Sequence, residues 1–340
     1  MEAWLHSNLD ALPLIALLGI FAIALYVLAK GADLLVEEAV TLSKAWGVPT
    51  VIIGATIVSL GTTLPEAAVS VMAAIGGNPD LALGNAVGSI ITDCGLILGL
   101  AAVISPLPLQ KSVVNRQGWI QIGAGVLLVL LCVPWSAPGT AWSTGGTLAQ
   151  WEGFVLVGLL IVYLVGSVIG ARGSSIATEV PDVDEKKPTW HVLALLCFGI
   201  FLVVGSSHVL IPTIEVIALD LGIPQAIIAA TLVAFGTSLP ELVTALNAVR
   251  RGHGELAVGN VIGADILNVL FVAGLSAAVT PNGLNADPRF FRLLFPGMLI
   301  LLVIFRVGIW VEKEKLGRSF GIILLVGYAG TTLSSYLLEG

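Results

Sequence analysis

The sequence has little charge for its length. Only 11% of its 340 residues are Asp, Glu, Lys or Arg, whereas 57% are hydrophobic, and the mean hydropathy is +1.01. A soluble domain cannot cover its surface with so few charged residues. We therefore expect lipid to solvate this chain.

Basic residues and cysteines are also scarce. The 15 Lys and Arg are outnumbered by 22 Asp and Glu, which gives a formal net charge of -7. Binding of nucleic acid requires a basic face, so we expect no such partner. The cysteines Cys94, Cys132 and Cys197 lie in apolar runs without a neighbouring ligand set. We expect no disulfide, no zinc site and no cofactor.

Apolar runs long enough to cross a bilayer recur along the chain. We predict an all-α polytopic membrane protein, because lipid leaves no backbone group unsatisfied. One long polar stretch divides the chain, which predicts a first unit 1–171, a linker 172–189 and a second unit 190–340. The ten predicted spans are centred near residues 21, 61, 91, 125, 160, 202, 236, 266, 301 and 328.

The distribution of Lys and Arg predicts the orientation. Thirteen of the 15 fall on one side of the predicted spans, and only Arg289 and Arg292 fall on the other. The positive-inside rule then places both termini outside the cytoplasm of a cell-membrane protein and the linker inside it.

The two halves of the chain are related. Residues 47–100 align without a gap with residues 222–275, and 22 of the 54 positions are identical. The second span runs outward and its partner, the seventh, runs inward, so the two five-helix repeats have inverted topology. Inverted repeats are typical of secondary transporters that bind substrate near the midplane.

The most similar segments, GTTLPE at 61–66 and GTSLPE at 236–241, lie within apolar runs. A Gly and a Pro four residues apart predict broken helices at the membrane midplane, with free carbonyl oxygens. Calcium prefers oxygen ligands, and Glu66 and Glu241 would balance its charge. The alternative is that Pro65 and Pro240 only kink the helices and that the glutamates pair elsewhere.

A second pair of segments spans residues 84–93 and 259–268. Ser89 and Asp93 share one helix face, as do Ala264 and Asn268. Two asparagines at equivalent positions, Asn85 and Asn260, either bind ions or have a structural role in capping or joining helices.

Both pairs of segments resemble the alpha repeats of the cation/calcium antiporter superfamily, and most of all its sodium/calcium exchangers. The resemblance implies that calcium binds between Glu66 and Glu241, together with backbone oxygens of Thr62 and Thr237. It also implies sodium ligands from three hydroxyl side chains and two carbonyls, which are Thr63, Ser238, Ser89 and the carbonyls of Ser59 and Ala234.

The sequence departs from this family pattern in both repeats. Ile90 replaces the Asn of the usual Gly-Ser-Asn, and Ala264 with Asp265 replaces Ser-Asn, which removes one hydroxyl from a sodium site. Asn268 replaces the usual carboxylate of the second repeat, whereas Asp93 supplies one in the first. Asp265 lies one step from the ligand face, where it contacts a neighbouring repeat, binds a proton or lines the pathway.

Three functions are compatible with these residues. The first is a monomeric antiporter that exchanges Ca²⁺ for Na⁺ by alternating access. The second is an antiporter of the same fold that exchanges calcium for protons or potassium. The residues Asp93, Ala264 and Asp265 suggest this coupling. The third is an intramembrane enzyme with Asp93 and Asp265 as an aspartyl dyad. The repeated glutamates and the lack of an HExxH pattern argue against an enzyme.

The predicted topology has a direct test. In a cysteine-free background, we expect a cysteine introduced between Val183 and Lys187 to react with an impermeant reagent from the cytoplasmic side, and one replacing Asn78 from the opposite side. Labelling in right-side-out and inverted vesicles measures this. Labelling of both positions from one side contradicts the inverted repeat.

Overall fold

A computed structural model describes residue 9 and residues 12–172, 188–220, 237–312 and 314–337. These residues are mostly helical. The helices are α1 (Leu14–Trp46), α2 (Thr50–Thr62), α3 (Leu64–Ile75), α4 (Pro79–Ile104), α5 (Lys111–Cys132), α6 (Ala141–Thr144), α7 (Gln150–Arg172), α8 (Thr189–Asp220), α9 (Leu239–Arg250), α10 (Gly254–Ala278), α11 (Phe290–Val311) and α12 (Arg318–Leu337).

Seven of the described helices are long and apolar enough to cross a membrane, and α2 with α3 forms a bent eighth candidate. The predicted tenth span corresponds to α12. The first half of the predicted seventh span and most of the predicted linker, residues 173–187, lie outside the described residues.

The first predicted span, centred near residue 21, lies within α1, which runs from Leu14 to Trp46. The second half of α1 is more polar and packs against other helices. Within that half, Asp33 pairs with Arg251 at 3.0 Å, just beyond the end of α9.

Exposed tryptophans mark the two ends of the bundle. An aromatic residue at the membrane interface keeps its ring in an amphipathic layer, so such belts indicate where the lipid headgroups lie. One belt consists of Trp46, Trp190 and Trp310, and the other of Trp135, Trp142 and Trp151.

Two small antiparallel sheets join the repeats. Strand β1 (Leu107–Pro108) pairs with β4 (Lys315–Leu316), and β2 (Gly146–Leu148) pairs with β3 (Leu284–Ala286). The first sheet therefore holds the loops after α4 and α11 on one side of the bundle. The second holds the loops after α6 and α10 on the other side, as inverted repeats require.

Helices α4 and α10 are the most buried spans, and α2 crosses α10 at glycines. A Cβ atom added to Gly54 would lie 2.8 Å from the carbonyl oxygen of Leu256, and one added to Gly259 would collide with the carbonyl of Val51. Glycine on both helices thus allows the two backbones to touch. This contact joins α2 of the first repeat to α10 of the second repeat.

Replacing Gly259 with Ala should destabilise the protein. The added methyl has no room against Val51, and overpacking of this kind typically raises the free energy of the folded state by about 1–3 kcal/mol. A lower melting temperature in detergent would show this. The control is Gly158→Ala, because a Cβ there meets no described atom within 4 Å. Equal melting temperatures for the two variants would contradict the close crossing.

Candidate ion-binding site

The first glutamate lies at the start of a new helix. Helix α2 ends at Thr62, and α3 continues from Leu64 after a bend of 44°. Pro65 has no N–H to donate to the carbonyl of Gly61, four residues earlier, so the sequence itself interrupts the helical hydrogen bonds. Glu66 then occupies the first turn of α3, where the positive end of the helix dipole favours a carboxylate.

The second repeat has the same local structure where it is described. Thr237 and Ser238 form a turn, and α9 begins at Leu239 with Pro240 and Glu241 in its first turn. The preceding residues, including the candidate sodium ligand Ala234, lie outside the described part of the chain. Both glutamates therefore lie in the first turn of a helix.

Two hydrogen bonds connect the repeats reciprocally. The hydroxyl of Thr62 donates to Oδ1 of Asn260 over 3.5 Å, and that of Thr237 donates to Oδ1 of Asn85 over 3.2 Å. These pairs occupy equivalent positions in the aligned repeats. Asn85 also donates to Ser70 Oγ over 3.0 Å. The two asparagines thus bond across helices, which is one of the two roles left open by the sequence.

The two glutamates come together in the interior. Glu66 and Glu241 are both buried, and each lies within electrostatic range of the other. Thr63 donates its hydroxyl to Oε1 of Glu241 over 3.3 Å, again across the repeats. Oε2 of each glutamate has no hydrogen-bond partner among the described residues. Buried acceptors without a donor are the atoms that a cation would satisfy.

Helices α4 and α10 carry further buried side-chain oxygens. Ser89, Asp93 and Asn268 are buried, and Ser89 and Asn268 each have a side-chain oxygen for which the described residues provide no partner. The Ser238 hydroxyl interacts with the carboxylate of Asp93. Asp93 is within electrostatic range of Glu66 and Glu241. Among the candidate ligands on α4 and α10, the structure therefore places Asp93 beside both glutamates.

Helices α4 and α10 contain π-helical turns at this depth. The turns are Thr92–Ile97 and Asn268–Ala273. A π turn widens the helix and is common at functional sites. The sequence predicts broken helices but not these turns, because a run of apolar residues does not distinguish π from α geometry.

The carbonyl of Ser59, a candidate sodium ligand, already has two donors. It accepts the backbone N–H of Thr63 over 2.8 Å and the hydroxyl of Thr62 over 3.3 Å. The Thr62 hydroxyl has only one proton, which it shares between this carbonyl and Oδ1 of Asn260. When that hydroxyl donates to Asn260, the Ser59 carbonyl has a lone pair free for sodium.

Asp265 interacts with a residue that the sequence analysis missed. Nε2 of Gln121, on α5, donates to Oδ2 of Asp265, and both side chains are buried. Oδ1 has no partner in the described ranges, and Asp93 lies within electrostatic range. A usable signal was present, since Gln117 and Gln121 form a polar row at i and i+4 in an otherwise apolar span.

Comparisons with known proteins match almost the whole chain. A profile of the sodium/calcium exchanger protein family matches residues 16–169 and 191–337. The inner membrane protein YrbG of Escherichia coli is 34% identical over 313 residues, covering 90% of this chain and 92% of that protein. The sodium/calcium exchanger MaX1 of Methanosarcina acetivorans is 31% identical, and the alignment covers 91% of this chain and 95% of that protein.

A solved structure has the same fold. The sodium-calcium exchanger NCX_Mj, soaked with Na⁺ and Sr²⁺, superposes with a TM-score of 0.79 and 29% sequence identity, covering 95% of this chain and 99% of that chain. This similarity confirms the predicted layout of ten helices in two inverted repeats, and the relatives confirm a transporter rather than an enzyme. The chain therefore belongs to the sodium/calcium exchanger family of membrane antiporters.

Proposed function

We propose that this antiporter exchanges Ca²⁺ for Na⁺, with calcium bound between Glu66 and Glu241. The observation that carries the proposal is the convergence of two buried carboxylates from opposite repeats, each with one free oxygen. Two carboxylates balance the charge of one calcium ion. Carbonyl oxygens at the helix breaks, including those of Thr62 and Thr237, complete the six to eight ligands that calcium prefers.

Sodium binds the same region through hydroxyl and carbonyl oxygens and shares the glutamates. The hydroxyls are those of Thr63, Ser238 and Ser89, the carbonyls are those of Ser59 and Ala234, and Asp93 and Asn268 supply further oxygens. Because both ions need Glu66 and Glu241, calcium and sodium exclude one another. The names of relatives such as the sodium/calcium exchanger MaX1 support this choice of ions.

The burial of the glutamates explains why transport is an exchange. An ionised carboxylate enclosed in the membrane interior is costly without a cation. The empty site therefore resists closure, whereas a site loaded with calcium or sodium is neutralised and closes. Each crossing then carries one type of ion, and the return requires the other.

Inverted repeats provide the two access states. The Thr62–Asn260 and Thr237–Asn85 hydrogen bonds are equivalent, so the repeats can exchange conformations about one site. Alternating access of this kind is typical of transporters built from inverted repeats. We place both termini outside the cytoplasm and the linker inside it, and we expect a functional monomer.

Coupling to protons or potassium is the second candidate, and Asp265 favours it. Asp265 adds a fourth buried carboxylate to Glu66, Glu241 and Asp93, and calcium neutralises only two of them. Gln121 donates one hydrogen bond to Asp265 but carries no charge. A further monovalent cation or proton would offset the remaining charge.

Glu66→Gln and Glu241→Gln should each reduce calcium uptake by about 100-fold or more. Removing one charged partner from a buried ion pair typically costs about 3 kcal/mol or more, and each 1.4 kcal/mol corresponds to about tenfold in affinity. Uptake of ⁴⁵Ca²⁺ into proteoliposomes with a sodium gradient measures this. Asp80→Asn is the control, because Asp80 occupies a first helical turn but is exposed. Uptake by either glutamine variant at the wild-type rate would exclude the proposed site.

Ala264→Ser and Asp265→Asn distinguish the two couplings. If a missing hydroxyl weakens one sodium site, Ala264→Ser should strengthen sodium-driven calcium exchange several-fold, because it adds one oxygen ligand. If Asp265 carries the coupling ion, Asp265→Asn should alter the driving-ion preference and Ala264→Ser should have little effect. The measurement is calcium flux under separate sodium, potassium and pH gradients. Wild-type flux that follows only the pH gradient would overturn sodium coupling.

A further inference from the structure

A groove lies between α5 and α7. It encloses about 390 Å³, and its walls are apolar, with Ile120 and Leu127 on α5 and Leu159 and Val162 on α7. Its floor includes Leu270 of α10. Helix α7 exposes large hydrophobic side chains along its outer face. The groove therefore opens toward the hydrocarbon of the membrane.

One end of the groove carries an unpaired positive charge. Arg116 lines this end, and its Nη2 donates to the carbonyl of Gly166 over 3.3 Å. None of the ion pairs found among the described residues includes Arg116. A guanidinium with free donors is well suited to a phosphate group.

The length of the groove matches one lipid leaflet. Arg116 and Leu127 are eleven residues apart on α5, which corresponds to about 16 Å along a helix. Half of the hydrocarbon core of a bilayer is about 15 Å thick. An acyl chain that enters beside Arg116 would thus reach the bilayer midplane where the groove ends.

We propose that this groove binds one phospholipid with an anionic headgroup, whose phosphate contacts Arg116 and whose acyl chain lies between α5 and α7. With the orientation proposed above, the lipid belongs to the cytoplasmic leaflet. Zwitterionic lipids offer the same acyl chains and phosphate but add a cationic group near Arg116, which weakens their binding. Basic pockets between membrane helices on the cytoplasmic side are a recurrent setting for anionic headgroups.

Two glycines line the groove at positions where a larger side chain would fill it. A Cβ added at Gly123 or Gly166 meets no described atom within 4 Å, and both residues line the groove. Gly123→Leu should therefore fill the groove without displacing the backbone. Gly158→Leu is the matched control, because Gly158 has the same open surroundings on α7 but does not line the groove.

The test is native mass spectrometry of the purified full-length protein titrated with dioleoyl phosphatidylglycerol or dioleoyl phosphatidylcholine. We expect the wild type and Gly158→Leu to bind the phosphatidylglycerol at least about fivefold more tightly than the phosphatidylcholine. This is the difference expected for one basic residue at the membrane surface. Arg116→Gln should remove the preference, Arg116→Lys should retain most of it, and Gly123→Leu should lose the bound lipid. Melting temperatures establish that the variants are folded.

Three results would overturn the proposal. Equal affinity of the wild type for the two lipids would exclude an anionic headgroup site. A preference that survives Arg116→Gln would place the headgroup elsewhere. Lipid binding by Gly123→Leu that equals binding by Gly158→Leu would show that the acyl chain does not occupy this groove.

Discussion

Ionised carboxylates are poorly tolerated in hydrocarbon, and four of them lie buried near the centre of this bundle: Glu66, Glu241, Asp93 and Asp265. The protein compensates for this only in part. The two glutamates lie in the first turns of helices, where the helix dipole favours a negative charge. Thr63 donates a hydrogen bond to Glu241, and Gln121 donates one to Asp265. The remaining charge is neutralised by a bound cation or by protonation. The broken helices and the glycine crossing of α2 and α10 can be understood as the structure that brings these carboxylates together.

The framework of the site is symmetric, whereas its ligands are not. The reciprocal Thr–Asn hydrogen bonds and the two Pro-Glu helix starts recur in both repeats. The differences that change the chemical type of a side chain at or beside a proposed side-chain ligand are Asp93 against Asn268, Ser89 against Ala264 and Ile90 against Asp265. A symmetric framework suits two equivalent access states. Ion preference therefore depends on the few positions at which the repeats differ.

Much of this organisation follows from local patterns in the sequence. Proline chemistry predicts the bend before Glu66, and the alignment of the two halves predicts inverted repeats. The contact between Gln121 and Asp265 could not be predicted in this way, because Gln121 lies outside the aligned segments and the bond depends on how α5 packs against α10. The polar second half of α1 could not be placed from sequence for a related reason, because Asp33 pairs with Arg251, which is distant in sequence.

The two small sheets have a consequence for biosynthesis. Strand β1 ends at Pro108, and its partner β4 begins at Lys315. At a synthesis rate of about 5–20 residues per second, the first loop waits on the order of 10–40 s for its partner to be made. During that interval the first repeat sits in the membrane with its buried carboxylates not yet covered by the second. The first repeat must therefore remain in the membrane for that time without the side chains and strand that the second repeat supplies.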